Sequence, residues 1–249
     1  MPEPLKLPEL ADPTLGDVLD QFLTEQQARL KPKTYGQYAS VVDLFRHHMN
    51  AYGHEDLSKA ESLLFERHYN AEGADHKEFC QIFGPDKIVG GIGMFLGYFM
   101  IRKVMAGADL KRAAGTVTKK LSKWLAEKGY LSDADADEGA QRAGRAVKTL
   151  PKADRAAKAL SRAAESVFVD LDDVPDEDYL DFDHYLIARL EPGKLWFDVY
   201  DGGSPKVVGP VTVPKAATNN LAEGWDVSCT LVRVRGKWRI AEVANVYPM

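Results

Sequence analysis

At His184 the spacing of apolar residues changes, and that change constrains the fold more than any motif does. Before it, apolar side chains recur every three or four residues, as one face of a helix requires; after it they tend to alternate, as a half-buried strand requires. A chain of 249 residues with this switch reads as a helical part followed by a β part, each long enough to bury a core. Thr14 and Asp17 form a capping pattern ahead of Leu15, Val18, Leu19, Phe22 and Leu23. Pro32 suits the first turn of a second helix carrying Tyr38, Val41, Val42, Phe45 and Met49. Ser58 and Glu61 repeat the capping pattern for a helix through about Arg67. A shorter helix is predicted over 75–83, an apolar one from Asp86 to about Ala106, and a last one over 116–128, with Gly107 and Gly129 as stops.

The stretch 132–166 is rich in Ala, Arg and Lys, and Pro151 is predicted to split it into two helical pieces. Its thin apolar stripe suits a connector lying on a neighbour, or a dimerising helix. An acidic run then extends from Asp170 to Asp183. Five strands are predicted over 184–191, 194–200, 206–213, 225–235 and 238–247, with Gly202-Gly203 and Arg235-Gly236-Lys237 among the turns. The segment Pro214 to Gly224 leaves room for a short helix between the third and fourth strands. That order is the one found in OB-folds, with an SH3-like barrel as the rival. The expected organisation is an extended arm (1–13), a helical domain (14–131), a charged helical connector and acidic linker (132–182) and a small β-barrel (183–249).

Two cysteines, Cys80 and Cys229, are too few for a disulfide framework, and the first residues have no basic start followed by an apolar run. A cytoplasmic protein without a membrane span is expected. The net charge of −5 disfavours nucleic acid as a mean, but the charge is uneven. Arg102 to Tyr130 holds eight basic and two acidic residues, whereas residues 171–249 hold eight basic and thirteen acidic. Local charge decides where a phosphate backbone can dock.

Two segments carry a family signal. The first runs from Thr14 to Phe45 and places Thr34 and Tyr38 one turn apart; the second, TVTKKLSKWLAEKGYL, runs from Thr116 to Leu131. Together they resemble the SAM-like core-binding domain of tyrosine recombinases and phage integrases. The resemblance covers roughly residues 14–50 and 86–131. It implies a helical clamp on duplex DNA and, in the family, a following catalytic domain with an arginine, a His-x-x-Arg and a nucleophilic tyrosine. The chain departs from the family in its insert of Asn50 to Pro85, in lacking an Asn-Pro after the last helix, and in lacking that catalytic domain.

The residues of the last predicted helix point the same way on their own. At about 100° per residue, Val117, Leu121, Trp124 and Leu125 share one sector, while Thr116, Lys119, Lys120 and Lys123 lie opposite. Lysines beside a helix N-terminus and its hydroxyl suit phosphate oxygens and would position the protein without reading sequence. Lys111 and Arg112 could extend the stripe, and the resemblance implies a further contact at Lys31 and Lys33. A solvated charged face is the plain alternative.

In the β part, Trp196, Phe197, Tyr200, Trp225 and Trp238 with Arg233, Arg235 and Lys237 could stack single strands, although aromatics in strands are more often core. Tyr247 lacks activating partners, and His68, His76 and Cys80 fall short of a four-ligand zinc site. The acidic run lacks ordered metal-ligand spacing, and Gly90-Gly91-x-Gly93 follows no strand, so it opens no phosphate loop. No cofactor, metal or catalytic residue is expected. The expectation is a non-catalytic DNA-binding protein, accessory to recombination or a mobile element. A protein-interaction scaffold that keeps the fold without DNA is the alternative, an enzyme with an unrecognised site the third possibility, and the barrel is given a protein partner.

Overall fold

The computed structural model describes residues 7–167, 169, 171, 174–200 and 206–248. Residues 1–6 of the expected arm, Asp170, Asp172 and Asp173 of the acidic run, and the Gly202-Gly203 turn lie outside the described residues. The chain is mixed α and β, and it divides into two compact units. One comprises Met1–Met100 with Asp109–Val147, the other Ile101–Ala108 with Lys148–Met249.

The first unit is helical. Helix α1 (Leu15–Gln27) begins at a reciprocal cap: the Asp17 N–H donates to the Thr14 hydroxyl at 3.2 Å, and the Thr14 N–H donates to the Asp17 carboxylate at 3.0 Å. The arm before it is pinned at its described end, where the Ala11 N–H donates to the Ile82 carbonyl at 3.0 Å. Helix α2 (Pro32–Tyr52) carries Val41, Val42, Phe45 and Met49 into the core, and α3 (Lys59–Tyr69) opens at the Ser58–Glu61 capping box. The helix predicted over 75–83 is cut down to α4 (Phe79–Ile82), with a 3-10 turn at Gly73–Asp75. The apolar run forms α5 (Ile88–Met94), a π-helical turn (Phe95–Phe99) and α6 (Met100–Arg102).

Helix α7 (Ala108–Glu127) starts eight residues before the predicted Thr116, so Lys111 and Arg112 lie inside it rather than ahead of it. Its early turns carry one large apolar residue, the half-buried Leu110, and the buried Ala114 and Gly115 let another backbone close in. Helix α8 (Asp133–Ala164) is continuous, against the expected break at Pro151. The proline forfeits one N–H donor to the preceding turn, but Leu150 and Ala153 on either side are buried and hold the helix through it. Its residues to Val147 belong to the first unit and those from Lys148 to the second.

The second unit holds β1 (Tyr179–Glu191), β2 (Lys194–Val199), β3 (Lys206–Thr212), a short helix α9 (Lys215–Thr218), β4 (Asp226–Val234) and β5 (Lys237–Tyr247). Strand β1 begins inside the run expected to be a solvated linker: Tyr179 pairs with Val232, Leu180 with Leu231 and Asp183 with Cys229. Pairing to β4 and partial burial of Leu180 outweigh the β-averse aspartates, whose side chains stay outside. The hydrogen-bonded order closes on itself as β1-β2-β3-β5-β4, all antiparallel except one parallel bridge between Val211 and Trp238. Inside lie Leu195, Phe197 and Val199 of β2 and Val227, Cys229 and Leu231 of β4, joined by Ala153, Ala156, Leu160 and Ala164 of α8. That spacing of three and four residues makes the second half of α8 part of the β unit's core rather than a connector.

The β4–β5 turn places Arg235 at φ 51° and Gly236 at φ 73°. Two successive positive φ values suit Asn-Gly far better than Arg-Gly. Replacing Arg235 with Asn is expected to stabilise the β unit by about 0.5–1 kcal/mol, seen as a higher urea midpoint. A lower midpoint would show that the arginine side chain holds the turn.

Candidate nucleic-acid interface

Helix α7 positions most of the predicted site residues. Its buried face consists of Ala114, Gly115, Val117, Thr118, Leu121, Ser122, Trp124 and Leu125. The Trp124 indole packs edge-on against Phe22 of α1 at 5.3 Å between centroids, and its Nε1–H donates to the Glu25 carboxylate at 2.8 Å. The same Phe22 ring stacks on Tyr38 of α2 at 6.1 Å. Three helices therefore meet on one ring, which fixes the rotation of α7 and turns its other side outward.

On that outer side Arg112, Thr116, Lys119 and Lys123 are all exposed. At about 100° per residue they fall within a sector of about 60°, each one turn beyond the last. Among the described residues neither Lys119 nor Lys123 has an acidic partner within ion-pair distance, whereas Arg112 meets Asp109 at 3.3 Å. Two predicted members fall away from this group. Lys120 sits at its edge, half-buried, and reaches Glu127 at 3.7 Å. Lys111 is half-buried and turned about 100° from Arg112, toward the side of Gly115 and Ser122.

The helix-end argument for Thr116 does not hold. Thr116 lies in mid-helix, and its hydroxyl donates to the Arg112 carbonyl at 3.1 Å. The true first turn carries Asp109, which offsets the positive end of the helix dipole. Lys31 and Lys33 are both exposed at the start of α2, Lys31 being its N-cap residue with no side-chain cap and no acidic residue in the first turn. Near the far end of α7, Lys128 meets Glu25 at 2.7 Å and, as the first cause, holds that carboxyl below its ordinary range.

The aromatic set of the β unit is mostly committed elsewhere. Phe197 and Trp225 are buried, and Trp238 packs against the core beneath Arg233 at 5.8 Å. Trp196 lies under Arg189 at 4.6 Å, and a Cβ on Gly209 would fall 2.6 Å from its ring. Only Tyr200 of the set is exposed, at 74%. Cys80 is buried, and burial pushes its thiol up to about 12. His184 and Asp226 meet at 2.8 Å on the surface, beside the Tyr247 ring. Among the described residues no group of three or more His, Cys, Asp or Glu could hold a metal ion, and no helix is long and apolar enough to cross a membrane.

Two features were invisible to motif reading. His48 is only 3% exposed, enclosed by Phe45, Tyr52, Phe95 and Phe99 with ring centroids 5.2 to 6.3 Å away. Burial, outweighing a hydrogen bond to the Gly91 backbone, pushes its pKa down to about 4. In the β unit, Arg239 joins Arg235 and Lys237 on one cavity. Comparison with protein families, with curated proteins and with solved structures finds no match for this chain.

Proposed function

We propose that the protein binds duplex DNA without chemistry, through the outward face of α7. The observation that carries this is the grouping of Arg112, Thr116, Lys119 and Lys123 on one exposed face, opposite a fully packed one. Three cations spread over about 16 Å of helix suit successive backbone phosphates. The packing of Tyr38 and Trp124 on the same Phe22 ring supports taking the two integrase-like segments as parts of one clamp-like domain, with Lys31 and Lys33 as a second phosphate contact. Binding of this kind fits an accessory role in recombination or integration. The β unit reads as an OB-like barrel: its strand order, its one parallel β3–β5 bridge and the short helix between β3 and β4 favour that over an SH3-like barrel.

A protein-interaction role has one observation in its favour. Leu186, Asp198 and Val207 stand in register across β1, β2 and β3, and Leu186 and Val207 are 37% and 61% exposed. Salt dependence separates the two roles. If the α7 face grips phosphates, affinity for duplex DNA falls with salt, and an Arg112→Ala, Lys119→Ala, Lys123→Ala variant lowers the log–log slope by about 2–3, equally for unrelated sequences. Lys111→Ala leaves the slope unchanged. No binding at low salt, or a slope indifferent to the triple variant, would leave the interaction role.

A further inference from the structure

We propose that the β unit carries a second site, a groove for a monomeric anionic amphiphile: a carboxylate or phosphate head on an apolar chain. Strands β3 and β5 touch in parallel only at Val211 and Trp238, and the residues that follow on both strands line a cavity of about 950 Å³ bordered by the end of α8. A volume of that size is a ligand-scale cavity, far larger than a packing defect. Its floor is apolar, with Leu160, Val213 and Ile240 buried. Its rim carries Arg235, Lys237 and Arg239, and among the described residues no acidic one lines it.

The rim cations differ from two neighbouring arginines of the sheet. Arg189 is tied to Glu191 and Arg233 to Asp178, whereas none of the three rim cations has an acidic partner within ion-pair distance among the described residues. Arg235 also occupies a left-handed backbone position at φ 51°, where Asn or Gly would sit more easily. Three cations above a buried apolar floor match a ligand that is charged at one end and greasy at the other. Among the described residues no aromatic side chain lines the cavity, and those residues offer no stacking platform of the kind single-stranded nucleic acid needs. Its concave shape takes one chain rather than a bilayer surface.

The test is calorimetric titration of the full-length protein with hexanoate, octanoate and decanoate, and with decyl phosphate, all below micelle formation. Affinity is expected to rise about fourfold per methylene until the groove is filled. Decylammonium and decanol are expected to bind at least about tenfold more weakly than decanoate. An Arg235→Gln, Lys237→Gln, Arg239→Gln variant is expected to lose that tenfold advantage while keeping the chain-length dependence. Ala163→Phe, which fills the groove from α8, is expected to flatten the chain-length dependence while circular dichroism stays unchanged. Affinity independent of chain length, equal binding of decylammonium, or decanoate binding unaffected by the triple variant would each overturn the proposal. So would displacement of decanoate by a tighter-binding oligothymidylate, which would make the groove a nucleic-acid site.

Discussion

Between about pH 6.5 and about pH 4 the helical unit is expected to lose about 3 kcal/mol of stability through His48 alone. The ring is 3% exposed, and its folded pKa of about 4 lies below the ordinary 6.5. A depressed histidine pKa means that the unfolded chain binds a proton the folded one refuses. The stabilisation is therefore fully present above about pH 6.5, declines as the pH falls, and is gone below about pH 4. The cause is burial within the aromatic enclosure, which disfavours the charged ring, and among the described residues Nδ1 has no hydrogen-bond partner. Acid also titrates capped and paired carboxylates such as Asp17 and Glu61, so the measurement is comparative. In a His48→Phe variant followed by urea unfolding, stability should fall less steeply over this window than in the unaltered protein. Two curves that fall in parallel would remove His48 from the acid response.

Replacing Gly115 with alanine is expected to destabilise the protein by about 1 kcal/mol net, although alanine is the better helix former. Intrinsic propensity favours the substitution by about 1 kcal/mol. Against it, a Cβ at Gly115 would lie 2.8 Å from the Val147 amide nitrogen, 2.8 Å from a Val147 methyl and 2.9 Å from the Ala143 carbonyl oxygen. Two of those atoms are backbone, so relief requires α7 and the first part of α8 to separate, and overpacking of this kind costs about 1–3 kcal/mol. Steric cost wins. Gly36, in the interior of α2, meets nothing within 4 Å, so Gly36→Ala is expected to stabilise by about 0.5–1 kcal/mol. Thermal or urea midpoints that moved the same way for both substitutions would contradict the close helix contact.

The features that could be read before the structure share a short range. Thr14 with Asp17 and Ser58 with Glu61 form their caps within four residues, so composition and spacing suffice. Strands β2 to β5 follow from alternation and turn residues, and Lys31, Lys33, Lys119 and Lys123 are exposed. The early start of α7 and of β1 involves distant partners. The first turns of α7 contain ADLKRAAG, in which Leu110 is the one large apolar residue, and Gly115 lets them lie close against α8. That earlier start moved Thr116 into mid-helix, set Arg112 in line with Lys119 and Lys123, and turned Lys111 aside. The start of β1 looked like a linker because Asp181 and Asp183 dominate it, yet β4 pairs with it.

The sequence alone determined that a helical part precedes a β part, where most elements begin, and that basic charge gathers near residues 102–130, because periodicity, capping and charge are properties of neighbouring residues. Tertiary structure alone decided which cations share the outward face of α7, that His48 is walled by four rings, and that Leu160, Val213 and Ile240 floor one groove. Each of those depends on side chains far apart in the chain, and only packing of the folded backbone brings them together.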